Sequence, residues 1–176
     1  MANVLLVVDM VKGFFDPKYP LYCGDAARDI IPAVRKLVES ESKRGSEVFF
    51  VCDTHEEKDL EFEVFPPHCI RGTEESLLID ELAGLEGTRI DKMRFSAFFG
   101  TDLERRLKLL SPEKIIVSGV CTNICVLHTV ADARNLDYKV EIPIDSVADF
   151  DIDNHNWALR HMEDILGAKV IGVPVV

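Results

Sequence analysis

Lys114-Ile115-Ile116-Val117-Ser118-Gly119-Val120-Cys121-Thr122-Asn123-Ile124-Cys125-Val126 opens as an apolar run and closes on the start of a helix. The run 114–118 is continuous rather than alternating, as expected of a strand buried on both faces of a parallel sheet. The pattern over Asn123–Asn135 is helical, so the segment reads as the strand and helix of a crossover unit. Cys125 stands where one becomes the other. Unpaired N–H groups and the macrodipole at a helix N-terminus favour an anion, which suits a thiol meant to act as a thiolate. A free cysteine is nonetheless most often a small buried hydrophobe, so this position alone decides nothing.

The same alternation extends in both directions. Strands are expected at Asn3–Val8, Glu47–Val51, Thr88–Ile90, Lys139–Ile144 and Lys169–Val173. Helices are expected at Asp29–Arg44, Glu74–Leu82, from the capping-box pattern Thr101-Asp102-Leu103-Glu104 through Leu110, and at Asn154–Leu166. Alternating strands and helices imply right-handed crossovers and an α/β three-layer sandwich with a parallel sheet covered on both sides. A chain of 176 residues with 47% hydrophobic content suits one domain over 1–176. The formal charge of -11 argues against nucleic acid or an anionic membrane surface as partner. No apolar run approaches the roughly 20 residues that span a bilayer, and the run Val4–Val8 lacks the flanks of a signal peptide. Five cysteines without framework spacing read as reduced thiols, as in a cytoplasmic protein.

In such a sheet functional groups collect beyond the carboxyl ends of the strands. Asp9, Asp53, Lys92 and Cys121–Cys125 all follow strands at that edge, and the long irregular stretches 10–24 and 52–72 join them. On one rim, Cys125 becomes a candidate nucleophile, with Lys92 lowering its pKa and Asp9 shuttling its proton. Asp53-Thr54-His55 places a carboxylate and an imidazole on the same side of an extended chain. With Glu61 and His68 brought in by the loop they form an oxygen–nitrogen ligand set suited to Zn, Fe, Mn or Co; otherwise the segment is a polar surface loop. Cys52, the neighbour of Asp53, is expected to face away. Phe14, Phe65, Phe95, Phe98 and Phe99 sit near these clusters, as core or as walls of a pocket for a flat substrate. Trp157 reads as packing, and His155 as a surface residue.

These residues resemble the isochorismatase-like cysteine hydrolases, and among them the nicotinamidases. The resemblance runs over nearly the whole chain. It rests on Val7-Val8-Asp9-Met10, Asp53-Thr54-His55, Phe65-Pro66-Pro67-His68, Gly72-Thr73, Lys92 with Phe95-Ser96-Ala97-Phe98, the Gly119–Val126 run, and His155-Asn156-Trp157-Ala158-Leu159. It implies a six-stranded parallel sheet of Rossmann-like topology and the triad Asp9, Lys92, Cys125. It implies an oxyanion hole from the backbone N–H groups of Cys121 and Cys125, with a cis Val120–Cys121 bond. It also implies one divalent metal ion on Asp53, His55 and His68, with Glu61 as a further ligand; Zn stands first, with Fe or Mn next. Phe14, Phe65 and Phe98 would wall the substrate pocket. The implied activity is hydrolysis of nicotinamide to nicotinate and ammonia through a Cys thioester, in NAD salvage, with a small aromatic amide as the bound partner. Asn123, where an aspartate is common, and Phe65, where tryptophan is common, depart from the pattern and bear on pocket shape. Other readings stay open: a hydrolase of another small amide such as an N-carbamoyl compound, a Cys121/Cys125 redox dithiol, a binding module of the same fold, and a homo-oligomeric state.

Overall fold

The computed structural model describes residues 2–172. Its elements run in chain order: β1 Val4–Val8, α1 Lys12–Phe15, α2 Asp25–Arg28, α3 Ile31–Lys43, β2 Glu47–Asp53, β3 Thr88–Lys92, α4 Leu103–Leu110, β4 Ile115–Val120, α5 Leu127–Asn135, β5 Val140–Pro143, β6 Val147–Ala148, α6 Ile152–Asp164 and β7 Lys169–Ile171. Every strand pairing is parallel, and the sheet follows the order β3-β2-β1-β4-β5-β7. That path has six strands, as expected; the two-residue β6 adds a seventh by pairing with Gly119 and Val120 beyond the end of β5. No helix among the described residues is long and apolar enough to cross a membrane.

Side chains alternate across a strand, and the core divides accordingly. Val4, Leu6, Val8, Ile115 and Val117 pack on one face with Leu103 and Leu107 of α4, Val130 and Ala133 of α5, and Leu159 and Met162 of α6. Leu5, Val7, Val48, Phe50 and Ile116 pack on the other with Ile31, Val34 and Val38 of α3. Strands buried on both faces have no polar side to show, which is why their sequences read as continuous apolar runs. The order in which strands are added reverses between β1 and β4: β2 and β3 extend the sheet to one side, β5 and β7 to the other. This is the topological switch point where open α/β sheets place ligands.

Gly119 lets β4 approach β1 there. Its φ is +108°, and a Cβ on it would lie 1.9 Å from the carbonyl oxygen of Val8. Both the dihedral and the space exclude a side chain. Gly119→Ala is expected to cost about 2 kcal/mol or more, read as a lowered thermal midpoint. A variant as stable as the parent would show that the two strands part easily.

Several boundaries differ from the expected ones. Glu74–Leu82 forms no helix beyond a single 3₁₀ turn at Glu74–Ser76. Its backbone groups pair instead with the segment after β1: Lys12 donates to the Leu77 carbonyl, Ile79 to that of Met10, and Val11 and Leu78 form an antiparallel bridge. Thr101 does not close a capping box. Its hydroxyl accepts from the Leu103 N–H at 3.2 Å, while Glu104 turns to Lys108, so the helix begins at Leu103. The helix expected over Asp29–Arg44 is α3, Ile31–Lys43, and the short α2 precedes it as a separate turn. α6 starts at Ile152 because the Asp151 carboxylate accepts from the Asn154 N–H, an N-cap bond. The expected Val173 end of β7 lies outside the described residues.

Candidate active site

Three neighbouring strand ends deliver the charged groups. Asp9 follows β1, Asp53 ends β2 and Lys92 ends β3, where it is directly paired with Asp53. The Asp53 N–H donates to Asp9 Oδ1 at 2.8 Å, tying the first strand end to the second. β4 delivers the thiol: beyond the cis Val120–Cys121 bond, Thr122–Val126 form one wide π-helical turn that leads into α5. Lys92 Nζ lies 2.9 Å from Asp9 Oδ2, 3.1 Å from Asp53 Oδ1 and 3.6 Å from Cys125 Sγ. All four side chains are buried. The structure thus brings Asp9, Lys92 and Cys125 together, as their common rim suggested.

A buried ammonium survives only if paired. Burial works against the Lys92 charge, but Asp53 and then Asp9 hold its pKa well above the ordinary value. Burial also opposes ionisation of Asp53, yet Lys92 and the hydrogen bonds from His55 and His68 hold its carboxyl far below the usual range. For Asp9 burial dominates; with the Asp53 charge it outweighs Lys92 and raises the carboxyl to about 6. Asp9 Oδ2 touches Lys92 without a hydrogen-bond alignment, so it remains an open acceptor. The thiol departs from expectation. Burial, then the Asp9 charge, push Cys125 well above its ordinary pKa, and Lys92 only partly offsets them. Lys92 faces two carboxylates at shorter range than the sulfur, so the resting thiol keeps its proton.

The other Asp53 oxygen faces a second cluster. Asp53 Oδ2 lies 3.0 Å from His55 Nε2 and 3.1 Å from His68 Nε2. Both imidazoles are held from behind: His55 Nδ1 by Asp59 Oδ2 at 2.9 Å, His68 Nδ1 by the Pro66 carbonyl at 2.8 Å. With Nδ1 donating to these partners, each Nε2 that gives up its proton would turn its lone pair to the cluster centre, the arrangement of a metal-ligating histidine. Ligand atoms on an ion with bonds of about 2.1 Å stand about 3.4 Å apart in a tetrahedron, close to this spacing. Two buried carboxylates, Asp9 and Asp53, share one ammonium, and the half-buried Glu61 stands beside them, so with neutral imidazoles the cluster is rich in negative charge and suits a divalent ion. Glu61 Oε1 stands 3.9 Å from both Nε2 atoms, and its Oε2 accepts no hydrogen bond, with Arg94 Nη1 3.9 Å away. The donor set and charge therefore fit a divalent cation, with Asp53, His55 and His68 forming the inner group and Glu61 one step out. Burial opposes a charged His55, but Asp53 outweighs it and raises the imidazole to about 9, a measure of how strongly this spot attracts positive charge. Cys52 takes no part; it is buried against the α3 layer.

Both clusters open on one cavity of about 240 Å³, lined by Cys125, Cys121, Asp53, Glu61 and His68. Phe14, Phe65 and Phe95 form aromatic walls, and Phe150 stands at the edge, 61% exposed. Phe98 is not among the lining residues. In the turn after Lys92 the Ser96 hydroxyl accepts from the Phe98 N–H at 3.2 Å, and Phe98 packs against the core layer instead.

Sequence reasoning passed over several residues here. Asp59, which orients His55, is in turn gripped by Arg94 at 2.8 and 3.1 Å. Asp149, just past β6, accepts from the Asn123 N–H at 2.8 Å and so braces the Cys125 turn; a carboxylate after a strand, as for Asp9, was the only signal. His155, expected at the surface, holds Thr122 Oγ1 through Nδ1 at 2.8 Å. Trp157, expected to pack, is half exposed and stacks on His161 at 5.0 Å.

The isochorismatase domain family matches residues 3–174. PncA of Bacillus subtilis, an uncharacterized isochorismatase family protein, is 35% identical, covering 97% of this chain and 99% of its own. The pyrazinamidase/nicotinamidase structure from Streptococcus mutans UA159 superposes with a TM-score of 0.92 at 35% identity, covering 97% of this chain and 100% of that one. The pyrazinamidase of Pyrococcus horikoshii, solved in complex with zinc, does so at 0.89 and 26% identity, covering 98% and 100%.

Proposed function

The chain belongs to the isochorismatase family and is a nicotinamidase-like hydrolase, and from that premise we propose that it cleaves nicotinamide to nicotinate and ammonia through a thioester on Cys125. One observation carries the reading: a single carboxylate, Asp53, joins the Lys92–Asp9–Cys125 group through Oδ1 to the histidine pair through Oδ2. The nucleophile and a ring-binding site thus face one cavity at a set distance. Flat aromatic walls suit a pyridine ring better than the short polar chain of an N-carbamoyl compound.

In the proposed reaction Asp9 accepts the Cys125 proton at Oδ2 as the sulfur attacks the carboxamide carbon. A carboxyl raised to about 6 sits near the operating pH, where a general base and a general acid are both effective. The backbone N–H groups of Cys121 and Cys125 stabilise the oxyanion, worth about 3 kcal/mol per donor in comparable sites. Asp9 then protonates the departing ammonia, and later takes a proton from the water that opens the thioester. Lys92 keeps Asp9 in place throughout. Phe14 and Phe65 hold the ring. A divalent ion on Asp53, His55 and His68, zinc before iron or manganese, would supply a Lewis-acid contact for the pyridine nitrogen. This reading puts the enzyme in cytoplasmic pyridine nucleotide salvage.

Metal analysis and a small amide panel test it. About one divalent ion per chain is expected, lost in His55→Ala. Benzamide has the shape of nicotinamide without the ring nitrogen and is expected to turn over about 100-fold more slowly, because its near-attack geometry lacks an anchor. Equal rates on the two amides, full activity in a metal-free preparation, or faster release of ammonia from an N-carbamoyl compound would each overturn the nicotinamide assignment.

A further inference from the structure

Two thiols meet at the cavity wall, and the hydrolysis uses neither sulfur. Cys23 Sγ lies 3.2 Å from Cys121 Sγ, although 98 residues separate them. Both side chains are buried yet line the cavity, so a small solute that reaches Cys125 also reaches them. The other sulfurs are placed differently. Cys125 faces Lys92 and Asp9, while Cys52 and Cys69 point at the carbonyls of Phe50 and Glu75. Cys121 and Cys125 seemed the candidate dithiol by spacing. The π-helical turn aims Cys125 at Lys92 and leaves Cys121 facing the 20–23 segment, part of the same wall.

We propose that Cys23 and Cys121 form a reversible thiol–disulfide site that switches the hydrolase off when a hydroperoxide enters the cavity. One sulfur attacks the peroxide O–O bond and becomes a sulfenic acid as a water or alcohol leaves. The second sulfur displaces the hydroxyl as water and closes the S–S bond. Both thiol protons end in these products, and the peroxide takes up the two electrons. Each sulfur is the other's hydrogen-bond partner, so whichever attacks first, the other stands in contact to resolve it. Closing the bond brings the sulfurs to about 2.05 Å, a contraction of roughly 1 Å from their present separation, drawing Cys121 toward the 20–23 segment. If the Cys121 N–H serves the oxyanion as argued above, a displacement of that size lowers turnover about 100-fold. That consequence rests on the proposed mechanism; the disulfide itself does not.

The test treats the reduced full-length protein with an equivalent of hydrogen peroxide, alkylates the remaining thiols and maps the peptides by mass. A Cys23–Cys121 cross-link that dithiothreitol removes is expected, with ammonia release falling and recovering in step. Cys121→Ser and Cys23→Ser should each abolish the cross-link and leave the remaining cysteine of the pair as a sulfenic acid that dimedone traps. Oxidation confined to Cys125, a disulfide between any other pair, or five unchanged thiols would overturn the proposal. A disulfide-linked protein that retains full activity would overturn the switch. Should no amide be hydrolysed at all, the peptide map still decides whether the thiol pair closes, so the two readings fail separately.

Discussion

Cys125→Ala is expected to bring amide hydrolysis down to the uncatalysed background while the protein stays folded. Cys125 is the cavity-wall thiol placed against Lys92 and Asp9, so no other sulfur or hydroxyl there is positioned to form the acyl intermediate. Its loss from the edge of a core layer removes one buried sulfur, at a cost of about 1 kcal/mol. The thermal midpoint should therefore move by a few degrees while ammonia release vanishes. Cys121→Ala is the matched control. It keeps the backbone N–H that the oxyanion requires and is expected to lose no more than about tenfold. A reversal of the two phenotypes would move the nucleophile to Cys121.

Asp9→Asn and Lys92→Met are expected to lower kcat/KM by about 1,000-fold or more each, and the double variant little further. The reason lies in their contact. Asp9 can take the thiol proton only as a carboxylate, and Lys92, 2.9 Å away, is what keeps a buried carboxylate ionised near neutral pH. Once either is gone the other has nothing to act through. Stability should separate the two. Asparagine keeps the shape of Asp9, whereas Lys92→Met strips the charge from two buried carboxylates at once, a change of the kind that costs about 3–5 kcal/mol. The double variant, with one carboxylate removed as well, should recover part of that loss. Strictly additive effects on kcat/KM in a double-mutant cycle would place one of the residues outside the reacting group.

Part of this was present in the linear chain. Continuous apolar runs such as Val4–Val8 and Ile115–Val120 can be buried only on both faces, and their alternation with helical periods implies a parallel sheet. A parallel sheet, in turn, puts everything after its strands on one rim. Asp9, Asp53, Lys92 and Cys125 were therefore recognisable as neighbours before any distance was known, and so was the shared direction of Asp53 and His55. These inferences need only the period of the backbone, which each segment carries within itself.

What the tertiary structure decided depends on partners far away in the chain. The fate of Glu74–Leu82 turned on unpaired backbone groups after β1, not on its own helical pattern. Phe98 left the cavity wall because a turn bonded through Ser96 aims it at the core. Asp59 with Arg94, Asp149 with Asn123, and Cys23 with Cys121 are pairs whose spacing in sequence carries no signal. The resting state of the nucleophile belongs here too. A lysine near a cysteine suggests a thiolate, but the outcome is set by burial and by how many carboxylates stand closer to the same ammonium, and those are properties of the packed site.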